Sequence, residues 1–312
     1  MNFKIFYHKN CLDGVSSAAL MKNFLNTLGF NKLIFKGLTY PLDKKGWRKL
    51  TSKHKIIILD YRYHPQAAIW CDHHKTTFTF HNWEKKYKPK PLFIFDPNAP
   101  SATGLLYKFL KKKFNFQVPR DWEKFIKQVD KYDSARFDIK EALELKSLAA
   151  KISIIISENK NLDKFFIQNL FNLETKTIEN LQIVKNFIKK FKKTLKEKIE
   201  QAKKNIILEN KFFLVWSNNN FKNQFVLKQI VAFYLYPRAK YLFTFWRERN
   251  VFQVRVYFNS FYYDKKTLKV HLGELAKKMS KGGGGHKGVG AFQINSLKEI
   301  ERVKNRLKSI LK

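Results

Sequence analysis

Ala67-Ala68-Ile69-Trp70-Cys71-Asp72-His73-His74 is the stretch on which the reading of this chain turns. An apolar run of strand length ends in a carboxylate and two imidazoles, a combination suited to metal and phosphate chemistry. Two other stretches repeat the pattern: Phe3-Lys4-Ile5-Phe6-Tyr7 runs into His8 and, a little later, Asp13, and Ile56-Ile57-Ile58-Leu59 runs into Asp60. Between them, helical periodicity over residues 15–28 alternates with β-rich runs at 32–36, 55–60, 67–71 and 91–95. Such alternation predicts an α/β fold with a mostly parallel sheet flanked by helices. Ligands of open parallel sheets bind beyond the carboxyl ends of the strands, which is where His8, Asp13, Asp60 and Asp72-His73-His74 fall.

Downstream, Pro100 and Ser101 open a helix through Leu105, Leu106, Phe109 and Leu110, with side chains able to cap its exposed amides. The next helix places Trp122, Phe125, Ile126 and Val129 on one face, and the same period carries Asp133 onto that inward stripe. A carboxylate on an apolar face needs a partner, so Asp133 is the better candidate ligand and Asp130, nearer the edge, the weaker one. Residues 141–204 read as a lysine-rich helical connector. Its last part repeats Ile178, Leu181, Val184, Phe191, Leu195 and Ile199 in a narrow stripe. Residues 205–312 return to mixed strands and helices, with a helix expected over 224–236. The expected organisation is therefore a first domain at 1–140, the connector, and a smaller second α/β domain at 205–312.

The second domain contains Gly282-Gly283-Gly284-Gly285-His286-Lys287-Gly288-Val289-Gly290. No Lys-Ser or Lys-Thr follows at the spacing of a P-loop, and the run leads into a strand rather than a helix. Consecutive glycines let main-chain amides form an anion-binding concavity, with His286 and Lys287 adding donors.

Composition bounds the function. Hydrophobic residues make up 44% of the 312, and 30 are Phe, too apolar for a disordered chain despite a net charge of +37. That charge invites a polyanionic partner, although the excess of Lys over Arg, with abundant Asn, Ile and Phe, is also what an AT-rich coding sequence yields. Cys11 and Cys71 are the sole cysteines, which excludes a disulfide framework or a four-cysteine zinc site and fits a reducing cytoplasm. Cys11 reads as a packed small residue. Neither a signal-peptide pattern nor an apolar stretch long enough for a membrane span is present, so a soluble, cytoplasmic protein is expected, with no membrane partner and with homodimerisation compatible.

The order His8-x-Asn10-Cys11-x-Asp13-Gly14, Asp60, Asp72-His73-His74, Ser101-Ala102-Thr103, a later inward Asp, and Gly283-Gly284-Gly285-His286-x-Gly288-x-Gly290 resembles the DHH superfamily of phosphoesterases with its DHH-associated C-terminal domain. The resemblance implies two divalent metal ions, manganese above magnesium or cobalt, that activate a water to hydrolyse a phosphoester. It implies His8, Asp13, Asp60, His73 and Asp133 as metal ligands, with Asp60 bridging, Asp72 orienting His73, and His74 facing the substrate phosphate. It further implies that Asn10, Gly283, Gly284, Gly285, His286, Lys287 and Arg255 contact substrate. Asn10 stands where many members carry a carboxylate, and strand alternation decides whether Arg255 faces the ligand. The substrate this suggests is a short oligonucleotide or nucleotide, as for oligoribonuclease-like exonucleases. Cyclic mono- or dinucleotides and 3′-phosphoadenosine 5′-phosphate are the alternatives within the enzyme class. A non-catalytic nucleic-acid-binding protein is the alternative outside it.

Overall fold

A computed structural model describes residues 2–39, 42–159, 161–210, 212–217, 228–280 and 282–311. In chain order the first part comprises β1 (Phe3–His8), α1 (Leu12–Thr27), β2 (Leu33–Leu38), α2 (Lys44–Arg48), β3 (Lys55–Leu59), β4 (Ala67–Asp72), α3 (His81–Lys86), β5 (Phe93–Phe95), α4 (Ala102–Phe114), α5 (Arg120–Asp133), α6 (Ile139–Glu144), α7 (Leu148–Glu158), α8 (Asp163–Asn169) and α9 (Thr175–Asn180). There follow α10 (Gln182–Asn205), β6 (Ile206–Asn210), β7 (Phe213–Ser217), α11 (Lys228–Leu235), β8 (Tyr241–Glu248), β9 (Val251–Phe258), a 3₁₀ turn at Lys265–Thr267, α12 (Leu272–Met279), β10 (Gly284–His286), β11 (Val289–Ile294) and α13 (Leu297–Ile310). The expected helix over 224–236 is seen from Lys228; its first residues lie outside the described ones. Among the described residues no helix is long and apolar enough to cross a membrane.

The first sheet is wholly parallel, in the order β2-β1-β3-β4-β5. The chain leaves β1 for β2 on one side and crosses to β3 on the other, so the sheet's switch point falls between His8 and Asp60. The apolar run of β3 is buried at Ile56, Ile57, Ile58 and Leu59, as a strand covered on both faces requires. α1 is buried around most of its circumference and lies against β1, β3, α4, α5, α7 and α8. An aromatic cluster fills another part of the core: Trp70 stacks on Phe95 with centroids 5.3 Å apart and meets Tyr63 edge-on at 5.0 Å.

The chain divides into two units, Met1–Arg136 with Leu145–Lys189, and Phe137–Glu144 with Lys190–Lys312. Most of the stretch expected as a connector is therefore core material of the first unit. Ile152, Ile155, Ile156, Phe166 and Ile167 are fully buried there, because α1 exposes apolar surface on sides the sheet does not cover. In the second unit a mixed sheet runs β10-β11-β9-β8-β7-β6, with β7 and β8 parallel and its other neighbours antiparallel. One face of it, through Phe243, Val254, Val256 and Phe292, forms a core with Leu272 and Ala276 of α12 and Ile300 and Leu307 of α13.

Candidate active site

The carboxyl ends of β1, β3 and β4 bring His8, Asp60 and Asp72-His73-His74 together, as the strand-end pattern predicts. Two of the turns are tight. Asn10 and Asp60 adopt φ values of 59° and 51°, a left-handed region that Asn and Asp tolerate better than other side chains and that clusters at functional sites. At Gly14 a Cβ would overlap the His8 carbonyl oxygen, so only glycine lets α1 start this close to β1.

Asp60 is 1% exposed and central. Its Oδ2 lies 3.2 Å from His8 Nδ1, and its Oδ1 lies 3.6 Å from both His73 Nε2 and His74 Nδ1 while accepting no hydrogen bond. Burial disfavours its charge, but His73, His8 and His74 outweigh that and hold the carboxyl well below the usual carboxylate range.

Asp13, in the first turn of α1, reaches the start of α4. Its Oδ2 accepts from the Ala102 N–H at 2.7 Å, and its Oδ1 accepts from the Thr103 N–H at 2.8 Å and the Thr103 hydroxyl at 2.6 Å. These are the amides a helix leaves unpaired, and its dipole favours an anion there. Even so, burial, with Asp60 and Asp133 nearby, pushes the Asp13 carboxyl up to about 8. Ser101 caps α4 by accepting from the Gly104 N–H and donates to Asp130 Oδ1 at 2.6 Å. Asp130 thus tethers α5 to α4, while Asp133 turns toward His73, its Oδ2 3.2 Å from Nε2.

The two adjacent imidazoles are held differently. His73 Nδ1 lies 3.0 Å from the Ala99 carbonyl oxygen; a carbonyl only accepts, so Nδ1 carries the proton and Nε2 faces carboxylate oxygens of Asp13 at 3.4 Å, Asp60 and Asp133. A lone pair aimed at three carboxylates demands a cation between them, either a proton or a metal ion. Burial would lower the His73 pKa, but Asp60, Asp133 and Asp13 raise it well above the usual imidazole value. His74 Nδ1 lies 2.7 Å from Asp72 Oδ1, and Thr77 donates its hydroxyl to the other Asp72 oxygen. The ring that Asp72 orients is therefore His74; to His73 it offers only a bond from the main-chain N–H, at 2.8 Å.

The donor set suits divalent cations. Asp13, His73 and Asp133, and separately His8, Cys11 and Asp60, each offer three ligand atoms within 4.8 Å of one another. Asp60 belongs to the second group, and its Oδ1, which accepts no hydrogen bond, lies 3.6 Å from His73 Nε2 of the first. Asn10 contributes a buried amide oxygen with no hydrogen-bond partner. The Cys11 thiol is pushed well above its usual pKa by burial and by the charges of Asp60, Asp133 and Asp13.

Sequence reasoning missed Asp163. This residue of α8 is 1% exposed, and its Oδ2 accepts the Asn10 main-chain N–H at 3.0 Å, fixing the turn between His8 and Cys11. Burial, then Asp163, raises the Tyr7 hydroxyl far above its ordinary pKa. No local signal marks Asp163, which sits in the lysine-rich stretch.

In the second unit part of the glycine run forms a strand. Gly284, Gly285 and His286 pair with Ala291, Gly290 and Val289, and a Cβ on Gly273, Gly283 or Gly290 would overlap main-chain oxygens where α12 packs on this hairpin. Close helix packing is thus one physical reason for the glycines. Arg255 pairs across β11 with Ala291, which pairs with Gly284; Tyr257 pairs with Val289, which pairs with His286. Arg255, Tyr257 and His286 therefore share the sheet face opposite Val254 and Val256. The Arg255 guanidinium lies 5.3 Å from the Trp246 ring centroid and 3.4 Å from the Tyr257 hydroxyl.

No family model and no curated protein sequence matches the chain. Solved structures do. A pGpG-specific phosphodiesterase, PggH from Vibrio cholerae, superposes with a TM-score of 0.67 at 21% identity over 100% of this chain and 99% of that one. The DHH domain of a protein from a family of ribosomal proteins gives 0.61 at 12% identity over 100% and 87%. RecJ from Thermus thermophilus, in complex with Mn²⁺, gives 0.54 at 12% identity over 99% of this chain and 52% of its own.

Proposed function

From the DHH-type fold that these neighbours share with the chain, we propose that the protein is a metal-dependent phosphoesterase hydrolysing the phosphodiester bonds of short oligonucleotides. The observation that carries this is His73 Nε2 facing Asp13, Asp60 and Asp133, a geometry that calls for a buried cation. In this reading His8, Asp13, Asp60, His73 and Asp133 would hold two divalent ions, Mn²⁺ in preference to Mg²⁺ or Co²⁺, to which Asp60 would offer its two carboxylate oxygens. Carboxylate and imidazole donors suit Mn²⁺. When bound, such a pair activates water at neutral pH and neutralises charge on the transferring phosphoryl group.

The protein groups do the rest. Ala99 fixes His73 so that Nε2 points inward. His74 donates its Nδ1–H to Asp72, which orients the ring; in its doubly protonated form the ring would also present Nε2–H to a phosphate oxygen or give that proton to the leaving oxygen. Asn10 offers an amide oxygen to the substrate. The second unit's sheet face, with Arg255, Tyr257, Trp246 and His286 beside Gly283, Gly284, Gly285 and Lys287, would take a nucleotide by stacking and by charge. A linear dinucleotide is the favoured substrate class, supported by the TM-score of 0.67 to a pGpG-specific enzyme over nearly the whole of both chains. Action in a reducing cytoplasm fits the free thiols of Cys11 and Cys71.

Incubation with Mn²⁺ and a panel of labelled dinucleotides, cyclic dinucleotides, 3′-phosphoadenosine 5′-phosphate and pyrophosphate tests the proposal. Linear dinucleotide cleavage lost in His73→Ala is the expected result. Binding without cleavage at any metal would identify a non-catalytic nucleic-acid-binding protein instead.

A further inference from the structure

Cys11 is the residue before α1 and occupies its N-cap position, yet its side chain makes no capping hydrogen bond. Instead its sulfur, a His8 ring nitrogen and an Asp60 oxygen all lie within 4.8 Å of one another. The left-handed turn at Asn10, φ 59°, and the Asp163 bond that holds it fold the chain back so that positions 8 and 11 present donors to one point. Ligand atoms around a single cation, at bond lengths of about 2.0–2.3 Å, stand roughly 3–4 Å apart, so the three donors need only small shifts to share one ion. Asp60 brings to this group a carboxylate that is 1% exposed, with Oδ2 3.2 Å from His8 Nδ1 and an Oδ1 that accepts no hydrogen bond, a buried charge that calls for a cation. Cys71, by contrast, is fully buried and already donates its thiol to the Ala102 carbonyl oxygen.

We infer that Cys11 is a metal ligand, and that the His8–Cys11–Asp60 position selects a thiophilic divalent cation such as Zn²⁺, Co²⁺ or Fe²⁺ over Mn²⁺ or Mg²⁺. The inference rests on the metal-dependent reading above and replaces its Mn²⁺ preference at one of the two positions: the centre is mixed in character, with a nitrogen and sulfur position beside a Mn²⁺-suited one built from Asp13, His73 and Asp133. Softness decides the preference, because a thiolate stabilises borderline cations far more than it does Mn²⁺. Binding exchanges the thiol proton, released to solvent, for the metal–sulfur bond.

Titration of the full chain with Co²⁺, followed by absorption, tests this. The expected result is a near-ultraviolet thiolate-to-cobalt charge-transfer band, retained in Cys71→Ser and lost in Cys11→Ser, with the weaker visible cobalt bands surviving in Cys11→Ser from the second position. Cys11→Asp, which preserves a ligand, should lose the band and lower Zn²⁺ affinity relative to Mn²⁺ by at least about tenfold. Cobalt bound to the wild type without that band, or a band that persists in Cys11→Ser, overturns the assignment of Cys11 while leaving the metal reading intact. Failure of the wild-type chain to bind any divalent cation overturns both.

Discussion

Asp72 holds the ring of His74 and not that of His73: its Oδ1 is 2.7 Å from His74 Nδ1, whereas His73 Nδ1 meets the Ala99 carbonyl oxygen at 3.0 Å. Consecutive histidines on one strand end are thereby given different tautomeric constraints and different tasks. Asp72→Asn keeps an acceptor for His74 Nδ1 but removes the negative charge beside its ring. Turnover should fall by about 10–100-fold with metal affinity nearly unchanged, whereas His73→Ala should lose metal. Steady-state kinetics beside a metal-binding isotherm separates the two.

Thr103 carries part of the cost of burying Asp13. In Thr103→Val the carboxylate keeps two main-chain donors but loses the hydroxyl at 2.6 Å. The metal-free protein should be destabilised by about 1–3 kcal/mol in urea unfolding. An unchanged midpoint would mean that the hydroxyl adds nothing to the amides.

Metal binding should strengthen with pH. The folded state holds the Asp13 carboxyl at about 8, far above an ordinary Asp near 3.9. The metal-free fold thus keeps a proton the unfolded chain has lost, and this group costs stability progressively as pH rises between about 4 and 8. A cation displaces that proton, so the rise in melting temperature on adding Mn²⁺ should be larger at about pH 8.5 than at about pH 6. Equal shifts at both would contradict the assignment of Asp13.

Gly285 tests the packing of the glycine hairpin. Its φ of 138° and the overlap of a Cβ with the Val289 carbonyl oxygen leave no unstrained place for a side chain. Gly285→Ala should destabilise the protein by more than about 1 kcal/mol, measured by denaturant unfolding, and should leave metal affinity at the Asp13–His73–Asp133 group unaltered.

Much of the site was legible because strands and helices announce themselves by period. His8, Asp60 and Asp72 stand out as polar residues ending apolar β-runs, and Asp133 follows from the stripe through Trp122, Phe125, Ile126 and Val129. Alternation likewise decides Arg255, which shares a sheet face with Tyr257 because Val254 and Val256 take the core. Relations made in space stayed hidden. Asp72 adjoins one histidine in sequence yet orients the ring of the other, and only the Ala99 carbonyl settles the division. Asp163 meets Asn10 across 153 positions with no spacing rule to connect them. Helices α7 and α8 read as part of a connector because their apolar residues give no sign that α1 is the partner. That Gly284 and Gly285 pair in a strand with Ala291 and Gly290 also stayed hidden, in a sequence so poor in side chains.

The central claim is a metal-dependent hydrolytic centre joined through Asp60, and the most direct measurement is dinucleotide hydrolysis followed as Mn²⁺ is added stepwise to metal-free protein, with bound metal counted in parallel. The account predicts no turnover without metal, full turnover only once a second equivalent is bound, and loss of both binding and turnover in Asp60→Asn. Hydrolysis by the metal-free chain, or an Asp60→Asn protein that binds and turns over like the wild type, would contradict it.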